Sequence, residues 1–218
     1  MTEEKFQNRT EAGRALARAF IEQGEPFDLI LALARGGVPV AAPISQALKI
    51  PFFPMIVQKI GVPGHRELAL GALSEGGSLF WNSELIETRG IPEISLSLLR
   101  EKARKEIKDR VARLRSGRTL PSLENKRVLV VDDGAATGAT LLAATRDALS
   151  QRPERVTVGL PVAPAGFSQL LKREGIPALI LMLPHHFQAV GEWYEEFSQV
   201  SDGEVLLTKS FLKGQEQT

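Results

Sequence analysis

The sequence predicts an α/β fold: a parallel sheet flanked by helices on both faces. Three observations predict it. Short, nearly continuous apolar runs of strand length recur along the chain, as in "DLILALA", "KRVLVVDD" and "ALILML". Such runs are what strands buried on both faces look like. Stretches of helical spacing separate them, and small-residue turns follow their ends, which is the alternation of a doubly covered sheet.

The elements follow in order. Arg9 to Gly24 sets Ala12, Ala15, Leu16, Ala19 and Phe20 on one helical face, with Gly24 as its stop. Asp28 to Ala34 is a strand, and "RGGVPVAAPISQALKI" turns into a second helix. "FFPMIVQK" is the next strand, its early part demoted toward an edge or kink by Pro54. From Ile60 to Asn82 the pattern weakens, which predicts a mobile loop and a hairpin turning at Gly76-Gly77.

Pro92 to Arg115 reads as a charged helix with Ala103, Ile107, Val111 and Leu114 as its apolar stripe. Beyond it come the strand "KRVLVVDD", a helix over Gly138 to Leu149 and the strand "RVTVGLPVA". A short helix over Pro164 to Arg173 and the strand "ALILML" complete the alternation. The aromatic-rich "HHFQAVGEWYEEFSQV" leads to Ser201 and Glu204, spaced as a capping box.

Composition narrows the function classes. The 218 residues suit one α/β domain over 1–218 with a small appended lobe. The absence of cysteine excludes a disulfide framework, a thiolate metal site and a cysteine nucleophile. A net charge of +1 supplies no global field for nucleic acid, which disfavours that partner. No apolar run approaches the roughly 20 residues of a membrane span. With a polar N-terminus lacking an apolar h-region, this predicts a cytoplasmic protein with no membrane partner.

Ligands of open α/β sheets sit beyond the carboxyl ends of the strands, near the topological switch point. Three strand-end stretches therefore matter: Arg35-Gly36-Gly37, Gln58-Lys59 and Asp132 to Thr140. In the last, a loop of small residues opens a helix, where backbone N–H groups and the helix dipole favour an anion. Thr137 and Thr140 add hydroxyls. Gly134 and Gly138 are separated by three residues with no lysine after them, so this is not a nucleoside-triphosphatase loop. Asp132 and Asp133 are poor phosphate ligands but suit sugar hydroxyls or a hydrated Mg2+. A ribose 5-phosphate unit satisfies both halves of the motif.

"VLVVDDGAATGATLLAA" resembles the phosphoribosyl pyrophosphate (PRPP) motif of type I phosphoribosyltransferases. The resemblance implies that family's fold, with a core over about 25–183 and a hood from parts of 1–24, 60–82 and 184–218. It implies that Asp132 and Asp133 bind the ribose hydroxyls and take part in holding Mg2+ through water and PRPP. It places the 5-phosphate on Ala135, Ala136, Thr137, Gly138, Ala139 and Thr140, with Gly134 beside them as a further PRPP-binding residue.

"LALARGGVPVA" resembles the family's pyrophosphate loop, which puts Arg35, Gly36 and Gly37 on the leaving group. Relatives often have a non-proline cis peptide there, making Arg35-Gly36 the expected position. "IVQKIG" resembles the segment where relatives set basic residues against pyrophosphate. Lys59 inherits that role, while Gln58 stands where many relatives carry a first basic residue. Asp132, Asp133, Lys59 and Arg35 are thus the implied catalytic set.

The implied reaction is transfer of the phosphoribosyl group of PRPP to a nitrogen acceptor, such as a nucleobase-like heterocycle, with release of pyrophosphate. Ala136 stands where purine-salvage relatives carry an aspartate, which makes a standard purine acceptor less expected. "KIGVPGHRELALGALSEGG" and "AVGEWYEEFSQVSDGEV" resemble a bacterial group of the family with an undefined acceptor. The family builds an acceptor-covering hood from variable segments, which makes Trp193 and Tyr194 acceptor candidates against the plainer reading of core aromatics. Family members commonly dimerise, so a homodimer is the implied association. A different class stays open: a non-catalytic PRPP-binding regulator, with the basic run "REKARKEIKDRVARLRSGR" as its RNA surface.

Overall fold

In the computed structural model, which describes residues 5–62 and 64–208, seven strands form one mixed sheet. The order of elements is α1 (Arg9–Gln23), β1 (Leu29–Ala34), α2 (Gly37–Leu48), β2 (Phe52–Val62), β3 (His65–Ser74), β4 (Leu79–Trp81), α3 (Ser83–Arg89) and α4 (Glu93–Arg115). There follow β5 (Arg127–Val131), α5 (Ala139–Ser150), β6 (Arg155–Val162), α6 (Phe167–Arg173), β7 (Ala178–Met182), a 3-10 turn over Val190–Trp193 and α7 (Asp202–Leu207). Across the sheet the strands run β4-β3-β2-β1-β5-β6-β7. The five from β2 to β7 in that order are parallel, and β3 and β4 are antiparallel additions.

The residues explain the layers. Along β1, Ile30 and Ala32 face a core shared with Leu16 and Phe20 of α1, Ile44 of α2 and Ile107 of α4. Leu29, Leu31 and Leu33 face the opposite core with Leu141 and Ala144 of α5 and Leu171 of α6. Adjacent strand residues point to opposite faces, so a run with no polar alternation must be covered twice. Fully buried residues such as Phe20, Phe52 and Ile56 each contribute roughly 1.5–3 kcal/mol relative to exposure.

Local chemistry sets the ends. The Asn8 side chain accepts from the Glu11 amide at 3.0 Å and starts α1, which stops at left-handed Gly24. Ser201 and Glu204 cap α7 reciprocally: Ser201 Oγ accepts from the Glu204 amide at 3.2 Å, and Glu204 Oε2 accepts from the Ser201 amide at 2.7 Å. Asp28 clamps the starts of two neighbouring strands. Its carboxylate accepts from Arg127 Nη2 at 2.7 Å, Nε at 3.1 Å and the backbone amide at 2.8 Å.

Two expectations are corrected. The stretch after Ile60 is not a loop: β2 continues to Val62, and β3 returns along it from His65. Residues 69–74 are buried on both faces, so β3 shows no alternation to read from sequence. The turn at Gly76-Gly77 does join β3 to β4. Nor does Pro54 demote the strand. It pairs with β1 opposite Ala32, while β3 joins the other edge of β2 only from Val57 onward. Its missing N–H therefore faces the edge that β3 does not reach.

Candidate active site

The parallel strands reverse direction of winding between β1 and β5, and the turns leaving these two strands lie against each other there. A Cβ on Gly37 would come within 2.6 Å of the Val131 carbonyl oxygen, and one on Gly36 within 2.1 Å of Asp133 Oδ2. Only glycine lets the Arg35–Gly37 turn sit directly on the acidic pair. The non-proline cis peptide is Ala34-Arg35, one bond earlier than expected.

The loop after Asp133 is shaped for an anion. Ala135 donates its amide to the Val162 carbonyl at 3.1 Å, tying the loop to β6. Among the described residues, the amides of Ala136, Thr137, Gly138, Ala139 and Thr140 donate to no protein acceptor, and the first link of α5 is Leu142 to Gly138 at 2.8 Å. Ala136 and Thr137 are exposed, whereas Ala135 and Ala139 are buried as anchors. Gly138, at φ 74°, supplies the left-handed turn into α5. The result is a run of free N–H donors at a helix start.

The acidic pair is held from several sides. Asp132 Oδ1 accepts from the Asp133 amide at 2.9 Å. Asp133 Oδ2 accepts from Arg9 Nε at 2.7 Å, and Tyr194 donates its hydroxyl to the Asp133 carbonyl at 2.6 Å. Burial, reinforced by the neighbouring Asp133 charge, pushes the Asp132 carboxyl well up from its usual range. Burial pushes Asp133 up too, against the Arg9 guanidinium. Two carboxylates crowded in this way gain from a cation. They are too few to enclose Mg2+ alone, but they fit an ion whose other ligands come from water and a phosphorylated substrate.

A cavity of about 380 Å³ adjoins the pair, lined by Arg9, Arg35, Gly36, Arg110 and Asp133 together with Phe197, Gln199 and Val200. Arg35 lies 3.7 Å from Asp202, which also meets Arg113 at 3.1 Å. Arg110 reaches in from α4 and donates to Gln58 Oε1 at 3.3 Å. Arg9 and Arg110 were missed in the sequence. Arg9 opens an ordinary amphipathic helix, and Arg110 sits in a charged run that reads as a solvated face. The one available signal was Gln58, a neutral residue where relatives carry a base.

The remaining candidates are placed as follows. Lys59 is exposed on β2, next to Gln58. Trp193 and Tyr194 are buried with Ala12 and Val162, packed by Phe6, Phe187 and Phe197. Their rings thus present no open face to a ligand, and Tyr194 instead supports Asp133. The N-terminal and C-terminal pieces are stitched together by Phe6, whose amide donates to the Trp193 carbonyl at 3.0 Å and whose carbonyl accepts from Glu195 at 2.9 Å.

A doubly covered sheet with an amide-lined loop and paired aspartates at its switch point defines an α/β protein with a turn suited to an anion. A family model described as "Phosphoribosyl transferase domain" matches residues 4–166, and the chain belongs to that family. Two curated relatives from Mycobacterium tuberculosis strains, each titled "Putative phosphoribosyl transferase" (MT0597 and Rv0571c), are 33% identical over 201 residues. The match covers 92% of this chain, and the chain spans about half (45%) of those relatives' length. The crystal structure of TT1426 from Thermus thermophilus is similar at 33% identity with a TM-score of 0.78, covering 96% of this chain and 98% of that one. Among the described residues, no helix is long and apolar enough to cross a membrane.

Proposed function

We propose that the protein is a Mg2+-dependent transferase that moves the 5-phosphoribosyl group of PRPP to a nitrogen acceptor and releases pyrophosphate. The observation that carries this reading is the run of unpartnered amides from Ala136 to Thr140 directly beyond Asp132 and Asp133. The amides and the hydroxyls of Thr137 and Thr140 hold the 5-phosphate. The two carboxylates accept from the ribose hydroxyls. The Arg35–Gly37 turn faces the leaving group; Lys59 is not among the residues lining the cavity beside Asp133, and its role as a further cation rests on the family resemblance alone.

A C1–N bond forms as the C1–O bond to pyrophosphate breaks, and the acceptor's N–H proton passes to water or to the departing phosphate oxygens. Charge grows on the leaving group as the ribosyl ring becomes cationic. The chain's main contribution is therefore electrostatic: fixed cations and amides placed where that charge develops. When bound, Mg2+ would neutralise phosphate oxygens and be shared with Asp132 and Asp133. Ala136 places no acid or base over the acceptor, which supports a heterocycle that needs none.

The test is calorimetric titration with PRPP and Mg2+, followed by pyrophosphate release across a panel of nitrogen heterocycles. Binding with acceptor-dependent release is the expected result. Absence of PRPP binding overturns the reading, and binding without release from any acceptor points to a regulator.

A further inference from the structure

The family resemblance sets basic side chains at the Gln58-Lys59 positions, which lie within β2, yet this chain has Gln58 at the first of them. Gln58 lies on the face of β2 that packs on α4, in line with Ile56 and Ile60, which share a core with Ala103 and Ile107. Its side-chain oxygen accepts from Arg110 Nη1 at 3.3 Å, so the position without a cation of its own holds one from another element.

The surroundings of Arg110 call for an anion. It lines the same cavity as Arg35, Gly36 and Asp133, on the side of the Arg35–Gly37 turn. It is half-buried and pairs with no carboxylate among the described residues, whereas Arg9 has Asp133 and Arg35 has Asp202. Burial, and then the Arg35 charge, push the Arg110 guanidinium down from its usual value. A guanidinium nonetheless keeps its proton, and the Asp202 and Glu106 carboxylates offset only part of the burial and of the Arg35 and Arg113 charges without pairing with it directly. The planar fork of arginine suits two oxygens of a phosphate.

We propose that Arg110, docked on Gln58, grips the diphosphate group of the donor, replacing a basic side chain on β2 itself. This rests on the PRPP reading above and adds a binding residue to it. The amide carbonyl of Gln58 orients the guanidinium and leaves the rest of the fork for phosphate oxygens. Gln58 is in this view a positioning residue, and the charged helix α4 is part of the leaving-group site.

The full chain, with Mg2+ present, is titrated separately with inorganic pyrophosphate and with ribose 5-phosphate. Arg110→Met is expected to weaken pyrophosphate about tenfold or more while ribose 5-phosphate stays within about twofold. Gln58→Ala is expected to weaken pyrophosphate less. Adding Gln58→Arg to Arg110→Met should recover pyrophosphate binding, because the cation returns to β2, an outcome that a merely structural Arg110 would not give. Unchanged pyrophosphate affinity in Arg110→Met, equal loss of both ligands, or no recovery in the double variant overturns the proposal. If wild type binds neither pyrophosphate nor PRPP, the functional reading itself fails, which is a different result.

Discussion

Arg9 Nε donates to Asp133 Oδ2 at 2.7 Å, and the same guanidinium stacks 3.7 Å above the Phe197 ring while its Nη1 donates to the Ser198 carbonyl at 2.8 Å. One side chain from the first helix thus joins the acidic pair to the C-terminal segment. Both partners of the ion pair are largely buried, at 11% and 15% side-chain exposure. Removing one leaves the other uncompensated, at a cost of about 3 kcal/mol. Arg9→Ala should lower the denaturant midpoint accordingly, and Arg9→Ala with Asp133→Asn should lose less than the sum of the single variants. Strict additivity in that double-mutant cycle would refute the coupling.

Donor binding should weaken on mild acidification. Burial raises both carboxyls of the acidic pair, so protons compete with Mg2+ and ribose hydroxyls at a pH above the ordinary aspartate range of about 4. The same upward shift means that the ligand-free fold prefers the protonated form, so its stability falls as pH rises through that window. PRPP titrations across pH would show affinity dropping before the solvent-exposed carboxylates protonate. A loss confined below pH of about 4 contradicts this.

Gly36→Ala should damage both binding and folding. The new methyl would lie 2.1 Å from Asp133 Oδ2, an oxygen already held by Arg9. The carboxylate must swing away from its place beside the ribose site. PRPP affinity is expected to fall about tenfold, roughly 1.4 kcal/mol, and the thermal midpoint to fall as well because the swing breaks the Arg9 ion pair. Wild-type affinity in this variant would mean that the close approach does not govern binding.

Thr137→Ala and Asp133→Asn test the two halves of the motif separately. The first removes a hydroxyl beside the free amides and should cost about 1 kcal/mol of PRPP binding. The second keeps the shape but not the charge, and should weaken PRPP more in Mg2+ than without it. Titration showing full affinity in both would remove the site assignment.

Asp28 offers a pH test away from the ligand. Hydrogen bonds from Arg127 hold its carboxyl down at about 2, from an ordinary value near 3.8. A depressed folded value stabilises the protein above the unfolded value, and the benefit disappears as pH falls from 3.8 through about 2. Asp28→Asn should therefore be less stable than wild type near neutrality, with the gap closing over that acid window. A gap independent of pH would mean that Asp28 acts through shape alone.

How far the sequence could be read depended on whether the signal was contiguous. The core strands were legible because β1, β5 and β7 announce themselves as nearly unbroken apolar runs. The candidate phosphate loop was legible as a motif because its acids, small residues and threonines lie within nine positions, Asp132 to Thr140. The strand β3 was not, because small residues buried on both faces carry no period. Pro54 was misjudged because whether it needs a donor depends on a neighbour that joins β2 only later along its length.

By itself, then, the sequence determined a doubly covered sheet and the location of the small-residue turn proposed to hold an anion, since both follow from neighbours along the chain. Only the tertiary structure decided which distant cations line the cavity beside Asp133. Arg9 lies at the start of the first helix and Arg110 on the helix before β5, and nothing in their local sequence distinguishes them from solvated residues. They become site residues because α1 and α4 pack on the same face of the sheet, and long side chains from there can reach over its carboxyl edge.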